Sequence, residues 1–167
     1  MKLNWKPRSP KAFIFFAVAS AVCFELGNTI KNIIVKTPSL LDYSNPVFSI
    51  TAAKNTGSAF SILQNQAVLL AIFGILAILA AAVYVYKKLG FENKIELLVF
   101  TFFTGGVLGN AVERLANGYV FDYIKLNFIE FPVFNAFDVM ISASVILYAA
   151  FLIFGEKLLR RGRAKKD

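Results

Sequence analysis

The sequence predicts an all-α membrane protein: four transmembrane helices with a small extracytoplasmic β-element between the first and second. Three observations predict it. Apolar residues make up 57% of the 167, with 18 phenylalanines, and a mean hydropathy of +0.63 is too high for a soluble domain of this size. The apolar residues gather into four runs near the ~20 residues that cross a ~30 Å hydrocarbon layer. The basic residues fall between those runs with a strong bias to one side.

The first run, residues 12–35, contains a stretch like a leader core, but no small-x-small cleavage site follows and the apolar segment continues past Ile30. A retained span is expected. The segment 37–66 is punctuated by Pro38, Asn45, Pro46 and Gly57 around Val47 to Thr51, whose composition is strand-like, so it reads as a β-element on the membrane surface. The second and third runs, 67–86 and a shorter 97–112, are joined by a short connection with Gly90 that suits antiparallel helices. Between the third run and the fourth, 134–154, Asn117, Gly118 and Pro132 surround an aromatic stretch, expected to dip into the interface. No repeat or second domain is evident across 1–167, and the basic tail 156–167 reads as a solvated helix end drawn to anionic lipid.

The formal charge of +8 follows the membrane, which argues against a nucleic-acid partner. Lys2, Lys6, Arg8 and Lys11 precede the first run, Lys87, Lys88 and Lys94 lie between the second and third, and six more basic residues follow the fourth. Only Lys31, Lys36, Lys54, Arg114 and Lys125 remain for the opposite side. By the positive-inside rule both termini are cytoplasmic, and 36–66 and 114–133 share the outer face.

Histidine is absent, which removes Ser-His-Asp, Cys-His and HExxH chemistry together. The single Cys23 has no disulfide partner. What remains is carboxylate, amide and cation chemistry, with no metal or organic cofactor required. Away from the cytoplasmic side the acids are Glu25, Asp42, Glu113, Asp122, Glu130 and Asp138.

A carboxylate near lipid costs roughly 3 kcal/mol at the centre of a span and persists where it is paired or functional. Asp122 and Asp138 stand at the two ends of the last outer segment, 16 residues apart, where the chain can return them face to face. Like charges sharing a site push one pKa up and leave one carboxyl protonated and one charged, the arrangement that attacks an amide with water. Asn135 and Asp138 also have the spacing of a capping box, and capping alone accounts for both. Asp122, between Phe121 and Tyr123, has no such alternative.

In the third run, Gly106, Asn110 and Glu113 fall within about 60° on a helical wheel. Close packing through Gly105 and Gly109, with Glu113 and Arg114 as an interfacial ion pair, is one reading. A functional role for Asn110 is the other, since an amide inside a span needs a partner. The segment Lys54 to Phe60 is either a hairpin turn at Asn55 and Gly57 or a strand facing an extended substrate. Glu25 and Asn28 share a face of the first run, whereas Lys31 points elsewhere and can snorkel outward.

Together these motifs resemble the bacterial lipoprotein signal peptidases, or signal peptidase II, a family of four-span aspartic peptidases. Asn55 to Phe60 is similar to the family's NxGxAF box and Gly109 to Arg114 to its GNxxDR box. Gly118 to Ile124 resembles GxVxDFI, and Phe131 to Asp138 resembles PxFNxAD. The resemblance implies that Asp122 and Asp138 are a catalytic dyad. It implies further that Asn110, Glu113, Arg114 and Asn135 order the site with Lys31 among the supporting residues, and that the region of Asn55 and Gly57 belongs to an extracytoplasmic β-cradle that holds the substrate. It also implies the reaction: removal of the signal peptide from a diacylglyceryl-modified prolipoprotein, just before the lipid-bearing cysteine, in the cytoplasmic membrane among its lipids. The chain departs from the boxes at three places. Glu113 stands where the family has Asp, Ala136 and Phe137 exchange small for bulky, and Gly27 stands four before Lys31 where the family has Asp.

The same intramembrane carboxylates admit a different class of function. Glu25, Glu113 and Asp138 would form the relay of a small ion-coupled transporter, though apart from Glu25 they cluster toward the outer side. A non-enzymatic scaffold or a catalytically inactive relative is the remaining alternative.

Overall fold

The computed structural model describes residues 8–57 and 63–163, with side chains of the last helix described to residue 154. Helix α1 (Pro10–Lys36) leads through a 3-10 turn (Pro38–Asp42) to strand β1 (Phe48–Asn55). Helices α2 (Ala67–Lys88) and α3 (Lys94–Asn117) precede strand β2 (Val120–Leu126) and helix α4 (Ala136–Arg163). All four helices are long and apolar enough to cross a membrane.

Local chemistry sets the helix ends. Ser9 caps α1 by accepting from the Ala12 N–H at 3.3 Å, with Pro10 at the first helical position, where its missing N–H costs nothing. Lys87 and Lys88 close α2 and offset its dipole. Helix α3 stops at Gly118, whose φ of +77° is left-handed and whose N–H returns to the Arg114 carbonyl at 3.0 Å. That conformation is open to glycine at little cost.

Helix α3 is the axis of the bundle. Half of its central stretch is buried, against 17% for each of the other three, and it packs on α1, α2 and α4. Small residues permit this approach. A Cβ at Gly105 would lie 2.5 Å from the Cys23 Cβ of α1, and one at Gly106 would lie 2.6 Å from the Phe137 carbonyl of α4. Outward faces of α1, α2 and α4 expose Val18, Phe73, Leu76, Ile146 and Leu152, as lipid contact requires.

Two expectations change here. The third span is not short: Glu113 and Arg114 end the apolar run, but the helix continues to Asn117 because both charges find partners. The stretch after α3, expected from its sequence only to dip into the interface, has a regular structure of its own. It is β2, and it supplies the strand that β1 pairs with, antiparallel. The connection is non-local, so neither segment announces it.

The register contains one irregularity with consequences. Phe48 to Ile50 pair with Leu126 to Ile124, then a bulge intervenes and Ala53, Lys54 and Asn55 pair with Asp122, Phe121 and Val120. One extra residue in a strand reverses which side chains face which way. The bulge turns Ala53 and Asn55 to the Asp122 side and leaves Lys54 on the other, where its ammonium lies 4.9 Å from the centre of the Tyr119 ring. Phe134 then returns to β2, exchanging backbone hydrogen bonds with Ile124 at 2.8 and 3.0 Å. That return sets Asn135 and the start of α4 beside Asp122.

Candidate active site

Four elements converge where α4 begins. Asp122 comes from β2 and is 1% exposed. Its Oδ1 accepts from Asn135 Nδ2 at 2.6 Å and its Oδ2 from Asn55 Nδ2 at 2.9 Å. Asp138 sits in the first turn of α4, where Oδ1 accepts from Asn110 Nδ2 at 2.7 Å and Oδ2 from the Asn135 backbone N–H at 3.0 Å. Asn135 Nδ2 also donates to Asn110 Oδ1 at 3.2 Å. The two carboxylates are thus joined through two amides, one from α3 and one from the α4 cap.

Asn135 does two jobs. Its Oδ1 accepts from the N–H groups of Phe137 and Asp138 at 2.7 and 3.1 Å, while Asp138 reaches back to its backbone. That is a capping box with aspartate in the acidic position. Capping and assembly of the carboxylate site are therefore one structure, not alternatives. The Asn135 amide is fully committed, so its donors aim at Asp122 and Asn110 without choice of rotamer.

Burial and the Asp138 charge push the Asp122 carboxyl up to about 6, against the pull of Asn55, Asn135 and the Arg114 guanidinium. Desolvation dominates, and the facing carboxylate adds to it. Next to it Tyr123, 2% exposed, is pushed up to about 12, chiefly by burial. It stays neutral, and its hydroxyl accepts from the Ala136 N–H at 3.0 Å, tying α4 to β2 behind the carboxylates. Tyr123 was not singled out from the sequence. Its signal is a strand buried on both faces, since Asp122 and Tyr123 are adjacent and both buried.

The expected Glu113–Arg114 ion pair does not form. Neighbouring helical positions point about 100° apart, and the two residues serve different partners. Glu113, 3% exposed, pairs with Lys31 Nζ of α1 at 2.9 Å and accepts from the Phe121 N–H at 2.8 Å. Lys31 therefore turns inward rather than snorkelling, and Glu113 pins β2 one residue before Asp122. Arg114 donates from Nη2 to the Gly57 carbonyl at 2.8 Å and from Nη1 to the Asn110 carbonyl at 3.4 Å. It holds the end of β1 over the site while Gly57 N–H donates to Asn55 Oδ1 at 3.0 Å. The turn at Asn55 and Gly57 is thus part of the cluster. Ser58, Ala59 and Phe60 of the same box lie outside the described residues.

Of the sequence-nominated acids, the fold gathers Glu113, Asp122 and Asp138. Glu25, Asp42 and Glu130 are exposed and outside this network, so a relay from Glu25 through Glu113 to Asp138 is not assembled. An open hollow of 690 Å³ in the β2–α4 connection is lined by Lys125 to Pro132 and by neither carboxylate.

The family model described as Signal peptidase (SPase) II matches residues 18–154. The chain belongs to the signal peptidase II family. It is 34% identical over 156 residues to a protein named lipoprotein signal peptidase from Haemophilus influenzae, covering 89% of this chain and 91% of that one. A protein of the same name from Streptococcus thermophilus is 40% identical over 101 residues, which is 60% of this chain. The match spans 65% of the length of that streptococcal relative. A solved bacterial membrane enzyme, crystallised in meso and determined at 2.3 Å resolution, superposes with a TM-score of 0.74. It is 24% identical and covers 92% of this chain and 95% of that one. This likeness shows a shared fold, and the signal peptidase II chain described here is a multi-pass membrane protein of a bacterial family.

Proposed function

We propose that the chain is a membrane-embedded aspartic endopeptidase that removes the signal peptide from diacylglyceryl-modified prolipoproteins, cutting before the lipid-bearing cysteine. The observation that carries this reading is the pair of carboxylates, Asp122 and Asp138, joined through Asn110 and Asn135. Family membership supplies the substrate class. The whole chain acts as one membrane domain, with the termini cytoplasmic and the site extracytoplasmic, as the distribution of basic residues supports. No metal or organic cofactor enters the reaction, and no nucleic acid is a partner.

In the mechanism the pair holds one proton. The first turn of α4 favours Asp138 as the ionised member, and Asp122, pushed up to about 6, carries the proton, although the proton belongs to the pair. The ionised carboxylate takes a proton from water as the water oxygen bonds the scissile carbonyl carbon. The protonated one gives its proton to the carbonyl oxygen. Collapse of the tetrahedral intermediate breaks the C–N bond as a proton passes to the cysteine nitrogen, and the pair returns to one shared proton. Asn110 and Asn135 hold the carboxylates in register. Glu113 and Lys31 fix β2 against α3 and α1, and Arg114 with Gly57 and Asn55 sets the strand end that faces an extended substrate. The substrate's acyl chains stay among the membrane lipids.

The test is cleavage of a lipidated prolipoprotein in detergent by the parent, Asp122→Asn and Asp138→Asn. Each variant is expected to lose at least about 10²-fold in turnover, the scale of a positioned acid or base. Turnover near the parent level in both would eliminate the dyad.

A further inference from the structure

Two of the departures from the family boxes meet at one contact. The Phe137 ring, 2% exposed, lies between glycines of two other helices. A Cβ at Gly27 of α1 would overlap the ring's Cε1 and lie 2.6 Å from Cδ1, and a Cβ at Gly109 of α3 would overlap the same edge. Phe24 of α1 stacks on it, with centroids 6.3 Å apart and planes 15° from parallel. The ring is thus held by α1 and α3 while its own backbone belongs to the α4 cap, donating to Asn135 Oδ1. Interiors this close-packed pass a displacement on to their neighbours.

The position of the wedge gives it leverage over the chemistry. Phe137 immediately precedes Asp138, whose bond to Asn110 at 2.7 Å spans the same α3–α4 seam. Asn110 immediately follows Gly109. On α1, Lys31 stands one turn beyond Gly27, and its contact with Glu113 at 2.9 Å spans the α1–α3 seam. One ring therefore spaces three helices at the level where both contacts are made.

We infer that Phe137 is a positioning residue of this site, matched to Gly27. Its ring, seated between Gly27 and Gly109, sets the reach of Asp138 to Asn110 and of Lys31 to Glu113. This rests on the reading of Asp122 and Asp138 as the dyad. Gly27 is needed because the ring is there, and among the described residues the ring's atoms are the nearest neighbours that a Cβ at Gly27 or Gly109 would meet.

The pairing makes a prediction that burial alone does not. In the cleavage assay, with thermal unfolding followed in parallel, Gly27→Ala lowers kcat on the order of 10- to 100-fold, the scale of a roughly 1 Å misplacement of reacting groups. Phe137→Ala lowers kcat comparably, KM moves by less than about twofold in both, and Phe137→Leu retains more than Phe137→Ala. In the Phe137→Ala background the Gly27→Ala change becomes nearly silent, since contacting residues do not act additively. Phe16→Ala, an equally buried ring at the other end of α1, lowers the unfolding temperature and leaves kcat intact. Equal cost of Gly27→Ala in both backgrounds, or a kcat for Phe137→Ala as unaffected as that of Phe16→Ala, would overturn the inference. The two failures are distinguishable: turnover retained in Asp138→Asn removes the dyad, whereas turnover lost there with additive Gly27 and Phe137 effects removes only the wedge.

Discussion

Where α1 begins and α2 ends, Ala12, Phe16, Val85, Leu89 and Leu97 close a core with at most 3% exposure. At the other end of the bundle Asn110, Glu113, Asp122 and Asn135 are only 1 to 7% exposed. Burial is the same and its chemistry is opposite. The apolar end needs only shape, and its rings and branches can be exchanged for others of like volume. At the polar end a buried donor or acceptor left unpaired costs its full desolvation, so each group depends on its neighbour. The first end holds the helices together, and the second spends stability on orienting carboxylates.

The dyad variants break this comparison most visibly, because activity should fall much further than stability. Asp122→Asn and Asp138→Asn are each expected to lose at least about 10²-fold in turnover. The amide removes the desolvation cost of a buried carboxylate but sets an NH2 against a donor, since both oxygens of each carboxylate accept hydrogen bonds. The two effects oppose each other, and the unfolding temperatures are expected to stay close to the parent's. A large loss of thermal stability in both would mean that the carboxylates serve the fold.

Asn135→Ala comes next and strikes both roles. It removes the α4 cap, a loss of about 1 kcal/mol, and it deletes the donor to Asp122 and the link to Asn110. Cleavage is expected to fall by about tenfold or more, together with a lower unfolding temperature. A variant that loses stability alone would confine Asn135 to capping.

Lys31→Met sharpens the contrast from the flank. It leaves the Glu113 carboxylate buried without its cation, at a cost of about 3 kcal/mol, the low end for a broken buried pair because the lysine side chain is 20% exposed. Adding Glu113→Gln should recover most of that loss, since the amide oxygen still accepts from the Phe121 N–H. A double variant no more stable than Lys31→Met would show that the ion pair is not what holds β2. At the apolar end Leu97→Ala removes contacts of a residue 2% exposed. A loss of about 2–5 kcal/mol with unchanged kcat is expected.

What the sequence revealed and what it hid divide along the same line. The four spans were legible because hydropathy is a local property. Asn135 and Asp138 were legible as a capping box because three residues set that spacing. The partner of β1 was not, since it lies beyond two helices and β2 shows no alternation: Asp122 and Tyr123 are both buried, one against amides and one against the α4 cap. The bulge that brings Asn55 rather than Lys54 to Asp122 leaves no composition mark. Pairing Lys31 with Glu113 depends on how α1 is rotated against α3. That rotation is set by Gly27, Gly105 and the Phe137 ring, contacts between residues far apart in the chain. The length of α3 was hidden for the same reason, because the charges that end its apolar run are neutralised by other elements.

A last expected effect is on the pH dependence of stability, and its sign discriminates the two ends. Burial and the Asp138 charge raise the folded-state pKa of Asp122 from 3.8 to about 6. A carboxyl with a raised folded pKa binds its proton more tightly in the native state than in the unfolded chain. Its contribution is therefore fully present below about 4 and is lost as pH rises through about 6. Unfolding temperature measured in detergent should decline across that window in the parent, and Asp122→Asn should flatten the decline because an amide does not titrate. Leu97→Ala, at the apolar end, should lower the whole curve without altering its slope. If Asp122→Asn kept the parental slope, the proton taken up between pH 4 and 6 would reside on another group, and Asp122 would lose its part as proton carrier.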